Sequence, residues 1–121
     1  MSKAFSCSTM SLDGFIADPH DGGFHHLFRW YNNGDVDVPT QNGMKINTSA
    51  ASAAHIGEML ARTGAMVVGR RLFDITNGWL GNHPYGGPVI VVTHHPPKDW
   101  EFANDDFTFV TGMEEALATA R

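Results

Sequence analysis

Only one cysteine, Cys7, occurs in 121 residues, so no intrachain disulfide can form and a reducing setting is expected. Charge is also sparse: 17 % of residues are Asp, Glu, Lys or Arg, and the formal net charge is −5. The longest basic cluster is the pair Arg70-Arg71, which leaves a nucleic-acid or anionic-membrane surface without support. No apolar run approaches the roughly 20 residues needed to cross a bilayer. The opening Met-Ser-Lys-Ala-Phe-Ser-Cys has one Lys and no sustained apolar stretch, so it reads as no targeting signal and the expected location is cytoplasmic. Internal repeats and low-complexity tracts are absent.

What the chain does have is an ordinary globular composition, 42 % hydrophobic, and a length that fits a single domain over residues 1–121. A domain of this size buries roughly 65 to 70 % of the surface its unfolded chain exposes. Lys3 to Ser11 sets Phe5, Cys7 and Met10 among hydroxyl residues, a composition that suits a strand because Ser and Thr compete with helical backbone bonds. Cys7 is expected there as a small buried thiol. Leu12 to Asn47 is rich in Gly, Asp, Asn, Pro and His and reads as loop, with a helical turn near His26 to Tyr31. Thr48 or Ser49 can cap a helix through Ala50, Ile56, Leu60 and Ala61 that stops at Gly64.

Ala65 to Gly69 and Pro88 to Thr93 are short apolar runs typical of buried strands in a parallel or mixed sheet. Between them, Arg70 to Thr76 suits a helix, and the glycines from Gly78 to Gly87 suit a mobile connection. Phe107 to Val110 reads as a third strand. Met113 to Ala118 reads as a helix whose Glu114 and Glu115 complement the dipole at its start. Strands alternating with helices argue an α/β fold.

Four places stand out chemically. Ser11-Leu12-Asp13-Gly14 ends the first strand in a turn that Gly14 allows to take positive φ. At Gly69-Arg70-Arg71 a strand gives way to a helix, so unpaired N–H groups and two guanidinium ions could cradle a phosphate; the plainer reading pairs the arginines with Asp74 on the surface. Thr93-His94-His95 follows a strand at its carboxyl end, where open α/β sheets bind ligands. Seven histidines invite a metal, but the adjacent pairs His25-His26 and His94-His95 lack helical ligand spacing, and no metal site is expected. The three tryptophans suit core edges, with Trp79 also able to close over an apolar cofactor surface.

Taken in order, Ser11-Leu12-Asp13-Gly14-Phe15-Ile16-Ala17, Val68-Gly69-Arg70-Arg71-Leu72-Phe73 with Trp79, and Val89-Ile90-Val91-Val92-Thr93-His94 resemble the reductase domain of bacterial riboflavin biosynthesis and its dihydrofolate-reductase-like relatives. The resemblance implies a three-layer αβα fold with a mixed, mainly parallel sheet, and hydride transfer from NADPH to a pterin- or pyrimidine-like small molecule. It implies that Ser11 and Gly14 border the substrate, that Asp13 is the candidate proton donor, and that Ile16 and Ala17 lie near the nicotinamide. Gly69, Arg70 and Arg71 would bind cofactor phosphate, and Thr93 and His94 the extra phosphate of NADPH. Leu72 stands where many relatives have Thr, and His94 where they have Arg, for which imidazole is a weaker and pH-dependent substitute.

Relatives continue past the helix at Met113 with a Gly-Gly strand end and further strands, so this chain is expected to hold only the N-terminal portion of that fold. An exposed sheet edge follows, and with it homo-oligomerisation through that edge. The competing expectations are a non-catalytic nucleotide-binding or self-associating module, and a metal-assisted hydrolase using the histidines.

Overall fold

In the computed structural model, which describes residues 3–121, the chain forms in order α1 (Phe24–Leu27), β1 (Val36–Val38), β2 (Ile46–Thr48), α2 (Ala50–Arg62), β3 (Met66–Gly69), α3 (Arg70–Thr76), β4 (Val89–Val92), β5 (Phe107–Val110) and α4 (Met113–Thr119). Two compact units result. One comprises the residues up to Val38 with Lys45–Gly57, the other Pro39–Met44 with Glu58–Arg121. No helix among the described residues is long and apolar enough to cross a membrane.

The second unit is an α/β layer built from the apolar runs. β3, β4 and β5 form a parallel sheet in that order, with Gly69 opposite Val92 and Val92 opposite Val110. Because successive strand residues point to opposite faces, each run is divided between two clusters. Val68, Val89, Val91 and Phe107 pack with Phe73 of α3, Trp79 and Trp100. Ile90 and Val110 pack with Ala116 of α4. Burial on both faces is why β4 is continuously apolar rather than alternating, whereas β5 at the sheet's edge exposes Thr108. Val89, Ile90 and Val91 are wholly buried.

After α3 the backbone takes a course that residue preference foretells only for its first two residues. Asn77, Gly78, Trp79 and Leu80 all take left-handed φ, between 48° and 56°. Trp79 and Leu80 are L-residues with a Cβ, for which this conformation costs roughly 1–2 kcal/mol each. Packing and hydrogen bonds hold the turn: Trp100 Nε1 donates to Asn77 Oδ1 at 3.1 Å and Asn104 Nδ2 to the Gly81 carbonyl at 2.9 Å. Trp100 also sits edge-on to Phe73, 4.9 Å between centroids. Gly78 is required twice over, by its φ of 56° and because a Cβ would lie 2.7 Å from the Phe73 ring.

The first unit contains the antiparallel pair β1 and β2, with Val36 opposite Thr48 and Val38 opposite Ile46. Thr48 is fully buried, and its hydroxyl donates to the Trp30 carbonyl at 2.8 Å and to Asn33 Oδ1 at 3.0 Å. Ser49 caps α2: its Oγ accepts the Ser52 N–H at 3.3 Å, leaving Thr48 to the strand. At the other end of α2, Thr63 Oγ1 donates to the Met59 carbonyl at 2.8 Å, which closes the last turn one residue before Gly64.

Three expectations are corrected. Lys3 to Ser11 is not a strand: its composition suits one, but it pairs with no other strand, and Phe5 and Met10 are each 64 % exposed. Cys7 is correspondingly exposed rather than buried. The antiparallel strands form a separate two-stranded sheet instead of joining the parallel strands in one mixed sheet, and they occupy sequence that reads as loop.

Candidate functional site

Within the first unit, Ser11 to Phe15 is a tight turn. The Gly14 N–H donates to the Ser11 carbonyl at 3.0 Å and the Ser11 N–H to the Phe15 carbonyl at 2.8 Å. Gly14 takes φ 90° with open space where a Cβ would be, so backbone conformation, not crowding, calls for glycine there. The side chains complete the turn: Ser11 Oγ donates to Asp13 Oδ1 at 2.6 Å and accepts the Phe15 N–H at 2.9 Å. Ser11, Asp13, Phe15, Ala17, Asp18 and His26 contribute to the wall of a shallow depression of about 310 Å³. A second turn borders it, in which Asp18 Oδ1 accepts the N–H groups of His20 and Gly22, each at 2.8 Å. Ile16 is 56 % exposed. Ser11, Asp13, Gly14 and Ala17 therefore come together, with Ser11 and Asp13 already committed to each other.

Within the second unit, Gly69, Arg70, Arg71, Thr93 and His94 stand at the carboxyl ends of β3 and β4, which are adjacent and parallel. Gly69 is extended, φ −84° and ψ 164°, with no side-chain cap on α3 and nothing within 4 Å of where a Cβ would stand. Arg70 Nε pairs with Asp74 Oδ1 at 2.8 Å, one helical turn on, and an Arg70 terminal nitrogen donates to the His95 carbonyl. One side chain thus ties α3 to the segment after β4. Arg71 is exposed. Thr93 is buried: its N–H donates to the Val110 carbonyl at 2.8 Å and its Oγ1 accepts the His95 N–H at 3.1 Å. That leaves His94 as the exposed side chain of the pair. The plainer expectation for Arg70, a surface pair with Asp74, is what its geometry shows, and it coexists with a basic pair at the end of a parallel sheet.

No protein-family model, curated protein or solved structure matches this chain. Its chemistry must be read from its own residues. Among the described residues no group of three or more His, Cys, Asp or Glu side chains is placed to hold a metal ion.

Sequence reasoning missed His83. It is 5 % exposed, its Nδ1 accepts the Tyr85 N–H at 3.1 Å, and its ring lies edge-on to Trp79 and Tyr85 at 4.3 Å and 4.9 Å. Burial lowers its pKa to about 4, which leaves a neutral imidazole at neutral pH. Asn82-His83-Pro84 in a glycine-rich stretch carries no sign of this, because the burial depends on how the folded turn sets Trp79 and Tyr85 against the imidazole.

Proposed function

We propose that this chain is an NADPH-dependent reductase of the dihydrofolate reductase and riboflavin-pathway type, acting on a pterin- or pyrimidine-like small molecule in the cytoplasm. The observation that supports it best is the meeting of Gly69-Arg70-Arg71 with Thr93-His94 at the carboxyl ends of two adjacent parallel strands. Ligands of open α/β sheets collect at such ends.

The residues present suit a dinucleotide phosphate in space and charge. Gly69 leaves room for close backbone approach, and Arg71 and His94 are exposed. Arg70 is held by Asp74, but both partners of that pair are more than one third exposed, and such pairs contribute little; a phosphate group can compete for the guanidinium. Bound NADPH would supply the hydride. The chain's own task is to hold phosphate through Gly69, Arg70, Arg71 and His94, with buried Thr93 fixing the segment that carries His94. In the first unit the Ser11–Gly14 turn is the proposed substrate-facing element with Asp13 as proton donor, and Ile16 and Ala17 are the proposed nicotinamide contacts.

Calorimetric titration of NADPH into purified chain tests the proposal. Saturable binding, weakened by Arg71→Ala, is the expected result, and a pterin and pyrimidine screen followed by loss of reduced-nicotinamide absorbance would then identify the substrate. A folded sample that binds no NADPH defeats it. A second reading, a self-associating nucleotide-binding module without catalysis, is favoured by one observation: β3 and β5 are both edge strands of a three-stranded sheet, and unpaired edges recruit further strands.

A further inference from the structure

We propose that His83 is an acid-sensitive latch on the left-handed turn Asn77–Gly81, holding Trp79 against the core when neutral and releasing it when protonated. Nothing in this latch depends on the reductase reading. It begins with the turn itself, where Trp79 and Leu80 sit at φ 50° and 55°, a conformation that persists only while surrounding contacts impose it. His83 supplies one of those contacts directly and is itself held by a second bond outside the turn. Its ring stands edge-on to Trp79 at 4.3 Å, and its Nδ1 accepts the Tyr85 N–H at 3.1 Å. The chain beyond is fastened as well: the Gln41 N–H donates to the Pro84 carbonyl and Asn42 Nδ2 to the Asn82 carbonyl, both at 3.1 Å.

Protonation reverses the chemistry of this joint. A proton on Nδ1 turns the acceptor into a donor facing the Tyr85 N–H, so that bond must break, and it places a cation in a site 5 % exposed. No counter-ion is at hand. The turn and its continuation, residues 77–87, contain no Asp, Glu, Lys or Arg, nor do residues 39–44; the one other titratable group there is the Tyr85 phenol. The helix on which Gly78 packs, α3, carries Arg70, Arg71 and Asp74, and the segment that clamps the turn through Trp100 and Asn104 carries Lys98, Asp99, Glu101, Asp105 and Asp106, the last five all exposed. Burial alone accounts for the depressed basicity of His83, with no charged neighbour contributing. The latch therefore opens by desolvation cost and a lost hydrogen bond, not by rearranging ion pairs.

Hydrogen exchange of the full chain, followed by mass spectrometry on peptides covering residues 77–87 and corrected for the intrinsic pH dependence of exchange, reads the opening directly. With the imidazole held near 4 when closed and near its ordinary value when open, proton linkage makes the opening constant about 20-fold larger at pH 5 than at pH 7. His83→Asn retains a neutral acceptor near the Nδ1 position and is expected to make the same peptides insensitive to pH. Equal acid sensitivity in His83→Asn, or none in the wild-type chain, overturns the proposal. Should His83→Asn fail to fold, the wild-type imidazole followed by NMR decides. A midpoint near 4 that coincides with loop opening upholds the latch, and a midpoint at the ordinary histidine value overturns it.

Discussion

At Asp74 and Arg70 a structural pair and the proposed phosphate-holding role compete for the same guanidinium. Because their pair is exposed, Asp74→Ala should change stability by no more than about 0.5 kcal/mol, measurable as a urea midpoint. Gly69→Ala should be equally mild, since a Cβ there meets nothing within 4 Å and the backbone is ordinary. If phosphate approaches that backbone, the same substitution weakens NADPH binding without touching the fold. His83 gives a pH dependence whose sign follows from its lowered basicity. The unfolded imidazole titrates near 6.5 and the folded one at about 4, so the unfolded chain binds more protons between these values. The stability contributed by neutral His83 is complete above the unfolded value and is lost as pH falls from about 6.5 towards 4, by roughly 3 kcal/mol in all. Denaturant titrations across that range should show the decline, and His83→Asn should remove most of it.

At the scale of elements, the left-handed turn offers a substitution that improves the protein. Leu80 is 60 % exposed and has φ 55°, so Leu80→Gly removes strain at small loss of packing and should raise stability by about 1 kcal/mol, seen as a higher melting temperature. Leu60→Gly inside α2 should act in the opposite direction. This turn also marks the limit of what can be read from residues. β3, α3, β4, β5 and α4 were legible with nearly their observed bounds because apolar runs and Gly69 punctuate them, and a cap at Thr48 or Ser49 announced α2, with Ser49 the one that caps it. Trp79 and Leu80 have no preference for left-handed backbone; Trp100 and Asn104, distant in sequence, hold the turn together with Phe73 of the preceding helix. β1 and β2 escaped for a related reason, being three residues each and held through Thr48 by Trp30 and Asn33. Lys3 to Ser11 misled in the other direction, since strand-like composition makes no strand without a partner edge. At the candidate site, the grouping of Gly69, Arg70 and Thr93 was legible from strand ends; the hydrogen bond of Ser11 to Asp13 and the burial of His83 were not, because they depend on turn geometry and on contacts across the chain.

For the molecule as a whole, a parallel sheet gathers Gly69, Arg70, Arg71 and His94 at its carboxyl ends, and the proposed role of that cluster is to hold the phosphates of NADPH. The self-associating reading, based on β3 and β5 as outer strands, predicts concentration-dependent association in size-exclusion chromatography, reduced by a charged substitution such as Thr108→Lys of β5. The phosphate-holding role is tested most directly by a fluorescence titration of NADPH into the wild-type chain, Arg70→Ala and Asp74→Ala, using the tryptophans as reporters. Saturable binding is expected, weakened about tenfold or more by Arg70→Ala through the loss of a charge-assisted contact, and tightened by Asp74→Ala, which frees the guanidinium. Binding that ignores both substitutions, or no binding by a folded sample, would contradict that role.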